Sequence, residues 1–407
     1  MSMAQTSTKT SAAAKPPKLF NTPSRRFAWV LGLVLVAVFF LAASDDWLTI
    51  ANYALIYAIA TLGLNVLSGY TGQVSLGITF FMAIGAYTAA FLGGDIPTTA
   101  RDPAGHALSF LIWLPAAGIV AALVGALVGP TALRLKGFYL GIVTLGLVFI
   151  GQYVFQNWKS LSGGPAGRSF PALGIGDFSF ANQNTILGIA VTAQQQYFLL
   201  FLVILGLASL FVGNVMRSRA GRAFQAVRDH EIGAAIMGVN LFEAKMGAFV
   251  LSSFLAGVSG ALLSSYIGYI RPDDWNLVLA IQFVAAIIVG GVASVWGSIL
   301  GSVFVFALPI MIDQLQLRPE STTTTGISNG DLNALIYGAL IIIFLLFEPG
   351  GVVGLIRRIQ VLARRFNQRS RKGGEPAAAT IDPEPNSIVE VESTALSASD
   401  ESHPVAE

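Results

Sequence analysis

Residues 109–133 read SFLIWLPAAGIVAALVGALVGPTAL, and no charged side chain interrupts the run. A helix of ~20 residues, rising about 1.5 Å per residue, crosses the ~30 Å hydrocarbon core of a bilayer. Similar apolar runs recur near 27–43, 51–68, 74–93, 138–156, 197–215, 243–270, 277–294, 297–315 and 332–350. None has the ~10-residue dyad alternation of a membrane barrel. Backbone groups in lipid must be satisfied internally, so the runs are expected to be helices. The fold class this implies is an all-α polytopic membrane protein with about ten transmembrane helices. The pair over 277–315 also reads as a re-entrant hairpin plus one span. The run 27–43, basic before it and ending at Ala42-Ala43-Ser44, also resembles a signal peptide.

Composition agrees. Of 407 residues, 54% are hydrophobic and 11% charged, against about 25% charged in soluble domains. There is no cysteine, so disulfides, thiolate metal sites and cysteine nucleophiles are excluded. His106, His230 and His403 are too far apart in sequence to suggest a metal cluster. A net charge of +2 gives no argument for nucleic acid. The chain has no G-x-x-x-x-G-K-[ST], G-x-S-x-G or H-E-x-x-H motif and no paired carboxylates within a span. No catalytic residue, metal site or bound cofactor is expected. Acids such as Asp45, Asp46, Asp95, Asp313 and Glu348 fall in loops or at span ends. The buried acids of a proton or ion relay are therefore missing.

The chain divides by composition. Residues 1–26 are small and polar and are expected to be disordered. A transmembrane domain covers 27–356, with polar loops at 157–196 and 216–242. Residues 357–372 form a basic stem suited to an anionic leaflet. Residues 373–407 have no Lys or Arg and read as a disordered acidic tail. Orientation follows from the basic residues. Arg134, Lys136, Arg217, Arg219, Arg222, Arg228, Lys245 and the basic residues of both tails share one side, against Arg101, Lys159, Arg168, Arg271 and Arg318 on the other. The positive-inside rule puts both termini and loop 216–242 in the cytoplasm. The length of loop 157–196 suits a lid or docking platform.

Tyr53, Tyr57, Thr61, Asn65 and Ser68 recur at steps of three and four, and Ser75, Thr79 and Tyr87 continue the pattern in the next span. They read either as the polar wall of a path through the membrane or as interhelical hydrogen bonding, worth about 0.6 kcal/mol per contact. The wall would centre on Tyr57, Thr61, Asn65, Ser75 and Thr79. The spacing of Gly125/Gly129, Gly137/Gly141 and Gly297/Gly301 permits close helix crossings. Gly69-Tyr70-Thr71-Gly72-Gln73 and Gly290-Gly291 read as broken helices or tight turns. In the basic loop, Arg222–Met237 is expected to form one short surface helix closed by Gly238 as C′ glycine. Asn240 and Glu243 then cap the next helix. Arg222, Arg228, Asp229 and Glu231 mix both signs, which suits a protein partner better than anionic lipid.

Several segments, in order, resemble the permease subunits of branched-chain amino acid ABC importers: LGLNVLSGYTGQVSLGITFFMAIGAYTAA (62–90), LRLKGFYLGIVTLG (133–146), NWKSLSGGPAG (157–167), GRAFQAVRDHEIGAAIMGVN (221–240) and GGVASVWGSILG (290–301). The resemblance covers roughly 50–355. It implies a multi-pass protein of a prokaryotic cell membrane, in contact with lipid. The implied partners are a second permease subunit, two P-loop ATPase subunits that use ATP, and an extracytoplasmic substrate-binding protein. It implies that 222–238 is the ATPase-coupling segment, with Gly221, Arg222, Arg228, Asp229, Glu231, Ala234, Ala235 and Gly238 as its coupling residues. Glu231, Ala234, Ala235 and Gly238 look like the E-A-A…G pattern of importer permeases, although Glu231 to Gly238 is one residue longer than the usual spacing and no I-x-L-P follows. Relatives of the family move urea or short amides. A gradient-driven carrier and a membrane scaffold are the alternatives outside the family.

The topology has a direct test, because the chain has no native cysteine. A cysteine in 216–242 is expected to react only with membrane-permeant reagents in intact cells, and one in 157–196 with impermeant ones. Labelling of both from outside contradicts the orientation.

Overall fold

The computed structural model describes residues 36–94, 105–132, 137–170 and 189–314, with short pieces between 173 and 186 and between 338 and 354. Residues 1–26, 358–407 and most of the runs 27–43 and 332–350 lie outside the described residues.

Helix α1 (Asp45–Leu64) begins with Asp45 and Asp46 in its first turn, where negative charge complements the helix dipole. It runs into a π-helical turn, Asn65–Tyr70, and the chain is then non-helical to Gly77. The other long helices are α2 (Ile78–Gly93), α3 (Phe110–Ala132), α4 (Phe138–Asn157) and α5 (Ala193–Arg217). Two short helices follow, α6 (Arg219–Asp229) and α7 (Glu231–Ile236), then α8 (Leu241–Ile267), α9 (Leu277–Gly290) and α10 (Val295–Gln314). Eight expected runs thus coincide with described helices. Among the described residues, six stretches are long and apolar enough to span a membrane: Asp45–Tyr70, Phe110–Pro130, Tyr139–Asn157, Ala193–Arg217, Leu241–Ile267 and Pro272–Gly290. Helices α2 and α10 are shorter apolar helices.

Helix α8 is the axis of the bundle. It packs chiefly against α2, α3 and α1, while α10 packs on α1 and α9, and α5 on α1. Close crossings make this possible. A Cβ on Gly85 of α2 would lie 2.5 Å from the Gly257 carbonyl carbon of α8, and one on Gly260 would lie 2.6 Å from the Met82 carbonyl carbon. The backbones touch there, so van der Waals contact acts without intervening side chains. Serines add buried interhelical bonds: Ser259 Oγ donates to Ile56 O (2.7 Å) and Ser302 Oγ to Ala54 O (3.1 Å). Leu123 and Leu127 of α3, Phe149 and Ile150 of α4 and Leu207 of α5 are exposed. Such faces suit lipid.

The glycine spacings behave unevenly. Gly125 and Gly129 face Ser253 and Met246 of α8, and Gly297 and Gly301 face Gly290 of α9. Gly137/Gly141 makes no crossing: Gly137 precedes α4 with nothing within 4 Å, and Gly141 meets only Val74. Three short two-stranded pieces qualify the all-α expectation. Arg168–Ser169 pairs with Tyr269–Ile270, Gly174–Ile175 with Phe178–Ser179, and Asn184–Ile186 with Ile189–Val191. The first pair clamps loop 157–170 to the α8–α9 connection. Arg168 Nη1 donates to Leu161 O (2.8 Å) and Gln156 Nε2 to Asp273 Oδ1 (2.8 Å). This platform end lies opposite the basic end that carries 216–242.

Gly85→Val is expected to destabilise the detergent-solubilised protein by about 1–3 kcal/mol through overpacking, read as a lower thermal midpoint. Gly146→Val, on α4 with nothing within 4 Å, should leave the midpoint unchanged. Equal midpoints for the two variants would contradict the crossing.

Candidate functional site

The distinctive construction is at the basic end. Helix α5 stops at Arg217, extended Ser218 turns the corner into α6, and Gly221 lets α6 approach α5, since an added Cβ there would lie 2.4 Å from Met216 O. Arg222 is exposed, and its Nη1 donates to Arg217 O (3.3 Å) across the same corner. Gly221, Phe224 and Val227 form the buried stripe of α6, at the spacing of one helix face. Phe224 rests near Gly247 of α8.

One helix over 222–237 was expected, and two are present. His230 is extended (φ −158°, ψ 99°) and serves as C-cap of α6 and N-cap of α7. Asp229 and His230 are weak helix formers, and the break lets the two sides find different anchors. Arg228 Nη1 donates to the Gly69 carbonyl (3.0 Å), while its Nε lies 3.6 Å from the exposed Asp229 carboxylate. Glu231 turns to Lys245, Oε1 to Nζ 2.5 Å. Lys245 is only 8% exposed while the Glu231 side chain is 35% exposed, so the pair is partly shielded from screening. Glu231 is thus engaged within the chain.

Helix α7 closes as expected. Gly238 N–H bonds to Ala235 O (3.0 Å) and Val239 N–H to Ala234 O (2.9 Å), with Gly238 at φ +83°. That is the two-bond pattern of a helix ended by a left-handed glycine, the conformation glycine enters most cheaply. Asn240 Oδ1 then accepts from Phe242 N and Glu243 N, and its Nδ2 donates to Glu243 Oε1 (2.9 Å), capping α8. Ala234 is buried and Ala235 exposed.

Three residues that drew no attention in the sequence dominate the tip. Ile232, Ile236 and Met237 are 76%, 80% and 84% exposed, and Phe242 at the start of α8 is also exposed. Their i, i+4 spacing opposite buried Ala234 was the available signal. An exposed apolar cluster on a braced projection marks an interaction surface.

The polar ladder separates into two groups. On α1, Tyr57 stacks on Phe306 (centroids 4.2 Å) and meets Phe283 edge-on (5.7 Å), and Thr61 Oγ1 donates to Tyr57 O (2.9 Å). Asn65 is fully buried: its Nδ2 donates to Ser294 O (2.9 Å) and Ser298 Oγ (2.6 Å), and its Oδ1 accepts from Ala293 N (2.9 Å). On the other side, Ser75 Oγ accepts from Gly77 N, and Leu76 N donates to Thr144 Oγ1 of α4 (2.9 Å). Thr79 Oγ1 is buried without a hydrogen-bond partner. The two groups have different neighbours. The stretch 69–73 is a broken helix: Gln73 N donates to Leu67 O (3.2 Å), and Gln73 Nε2 to Thr71 Oγ1 (3.0 Å) and Lys245 O (3.3 Å), while Gln73 Oε1 is buried without a hydrogen-bond partner. Among the described residues no group of three or more His, Cys, Asp or Glu could hold a metal.

This arrangement defines a polytopic membrane protein that carries, among the described residues, a braced helix with an exposed apolar face at its basic end. The family described as "Branched-chain amino acid transport system / permease component" matches residues 47–345, and the chain belongs to it. Among curated relatives, the high-affinity branched-chain amino acid transport system permease protein LivM of Salmonella typhimurium is 30% identical over 355 residues, covering 84% of this chain and 78% of that protein. LivM of Escherichia coli is 30% identical over 350 residues, covering 83% and 77%. The corresponding BraD of Pseudomonas aeruginosa is 27% identical over 303 residues, covering 73% and 91%. No solved structure matches the chain.

The Glu231–Lys245 pair should behave as one unit. In a cycle of Glu231→Ala, Lys245→Ala and the double variant, a coupling of about 1 kcal/mol or more is expected in the exchange protection of the 231–236 amides, above the few tenths common for exposed pairs. Strict additivity would contradict a shared bond.

Proposed function

We propose that the chain is the membrane-spanning permease subunit of an ATP-driven importer for branched-chain or related apolar amino acids. The LivM relatives support the substrate class, and family membership supports the assembly: a second permease, two P-loop ATPases and an extracytoplasmic binding protein. ATP is used by the ATPases, and this chain binds no cofactor. The transmembrane permease domain occupies 27–356 in a prokaryotic inner membrane, crosses about ten times and leaves both termini in the cytoplasm. The polar wall of the translocation path includes Tyr57, Thr61, Asn65, Ser75 and Thr79.

The observation that carries the ATPase coupling is the exposed tip of Ile232, Ile236 and Met237, held on α7 between the Gly238 turn and the Glu231–Lys245 pair. An apolar knob of this kind fills a cleft on a partner, and a rigid base lets the partner's movement act on the bundle. Gly221, Arg222, Arg228, Asp229, Glu231, Ala234, Ala235 and Gly238 then shape and brace the knob more than they touch the ATPase. The gradient-driven alternative lacks support: in the described spans, charged side chains such as Asp45, Asp46, Arg217, Glu243 and Lys245 sit at helix ends, where they do not form a relay across the membrane.

Ile236→Asp places a charge on the exposed tip and should leave the fold intact. Loss of the ATPase from the affinity-purified assembly, by about tenfold or more, is the expected result, with normal permease abundance. Undiminished copurification would sink this assignment of α7.

A further inference from the structure

Gly69 stands where three parts of the chain meet. Its Cα backs onto the α9–α10 turn, where an added Cβ would lie 2.7 Å from Ala293 N. Its carbonyl faces α6 and accepts the Arg228 guanidinium at 3.0 Å. One turn earlier, Asn65 grips the same α9–α10 turn through Ala293 and Ser294, and the start of α10 through Ser298. The Arg228 stem also packs on Gly72, whose Cβ would come within 3.2 Å of Arg228 Cγ. Helix α7 is tied separately, through Glu231, to Lys245 of α8.

We infer that Arg228 is a positioning residue, a strut that carries displacement of α6 and α7 into the π-helical turn at the end of α1 and, through Gly69 and Asn65, into the α9–α10 turn. The inference rests on the reading of the α6–α7 segment as the ATPase-docking element. It changes the part Arg228 plays: the sequence grouped it with charges offered to a partner, whereas its guanidinium tip turns inward to a backbone carbonyl. A charge-assisted bond from a planar, stiff group suits that role. The element it acts on is suitably irregular, since π turns interrupt a helix where function needs a break. Only an element that both ends bias can couple them. Here Arg228 holds one side of the Gly69 segment and the α9–α10 turn the other.

The test uses the assembled transporter in lipid nanodiscs. Gln225 on α6 and Val292 in the α9–α10 turn are exposed, and the absence of native cysteine lets each carry a single environment-sensitive fluorophore as Gln225→Cys or Val292→Cys. With Arg228 present, both reporters are expected to respond when the ATPases are trapped with ATP. In Arg228→Met, which keeps the stem and removes the donors, the reporter at 225 should still respond and that at 292 should fall silent. Uptake per ATP hydrolysed should fall about tenfold, within the range of ordinary coupling between sites. Arg228→Gln, too short to reach Gly69 O, serves in the same way if the methionine variant does not accumulate. An undiminished response at 292 in either variant overturns the strut. Silence at 225 with Arg228 intact overturns the docking reading itself, and the strut with it.

Discussion

The Asn65 side chain makes two hydrogen bonds to the turn between α9 and α10 and one to Ser298 in the first turn of α10, all more than 220 residues away in sequence. Irregular backbone within a membrane protein survives only where other protein groups satisfy it. Helix α1 breaks its register directly after this clamp, in the π turn Asn65–Tyr70. With that point fixed, Gly69 presents its carbonyl to Arg228, and Gln73 reaches the Lys245 carbonyl at the start of α8. The basic end of the bundle is therefore organised around one buried amide.

The rest of the bundle follows from close backbone contact. Hydrocarbon gives no hydrophobic drive between helices, so association depends on packing and on hydrogen bonds. Helix α8 meets α2 at Gly85, Gly257 and Gly260, and Ser259 bonds to the backbone of α1. Helices α3, α4 and α5 pack by one side and leave the other bare. The interior is thus stiff around α1 and α8, while the peripheral helices keep faces for lipid or another subunit.

Much of this was legible beforehand. Apolar length alone located eight helices, because the bilayer sets a minimum span that ordinary loops do not imitate. Gly238 and the Asn240–Glu243 pair were readable because caps are local chemistry. What was not legible depends on contacts distant in sequence. The break at His230 arises as Arg228 and Glu231 find separate anchors on α1 and α8. Arg228 and Glu231, charges that looked available to a partner, are bonded within the chain, and Ile232, Ile236 and Met237 are exposed beside them in sequence. Glycine spacing within one helix was an uneven guide to crossings: Gly125/Gly129 and Gly297/Gly301 make them, Gly137/Gly141 makes none, and Gly85 meets Gly257 of another helix without belonging to such a pair.

The proposed function makes this chain a membrane subunit moved by a partner. Its energy source is the central claim. The direct measurement is uptake of radiolabelled leucine, isoleucine and valine, with the binding protein supplied, into vesicles holding the assembled transporter, with and without ATP on the ATPase side and with ion gradients collapsed. The account predicts uptake that requires ATP and survives loss of the gradients. Uptake that persists without ATP and stops when the gradients collapse would contradict it.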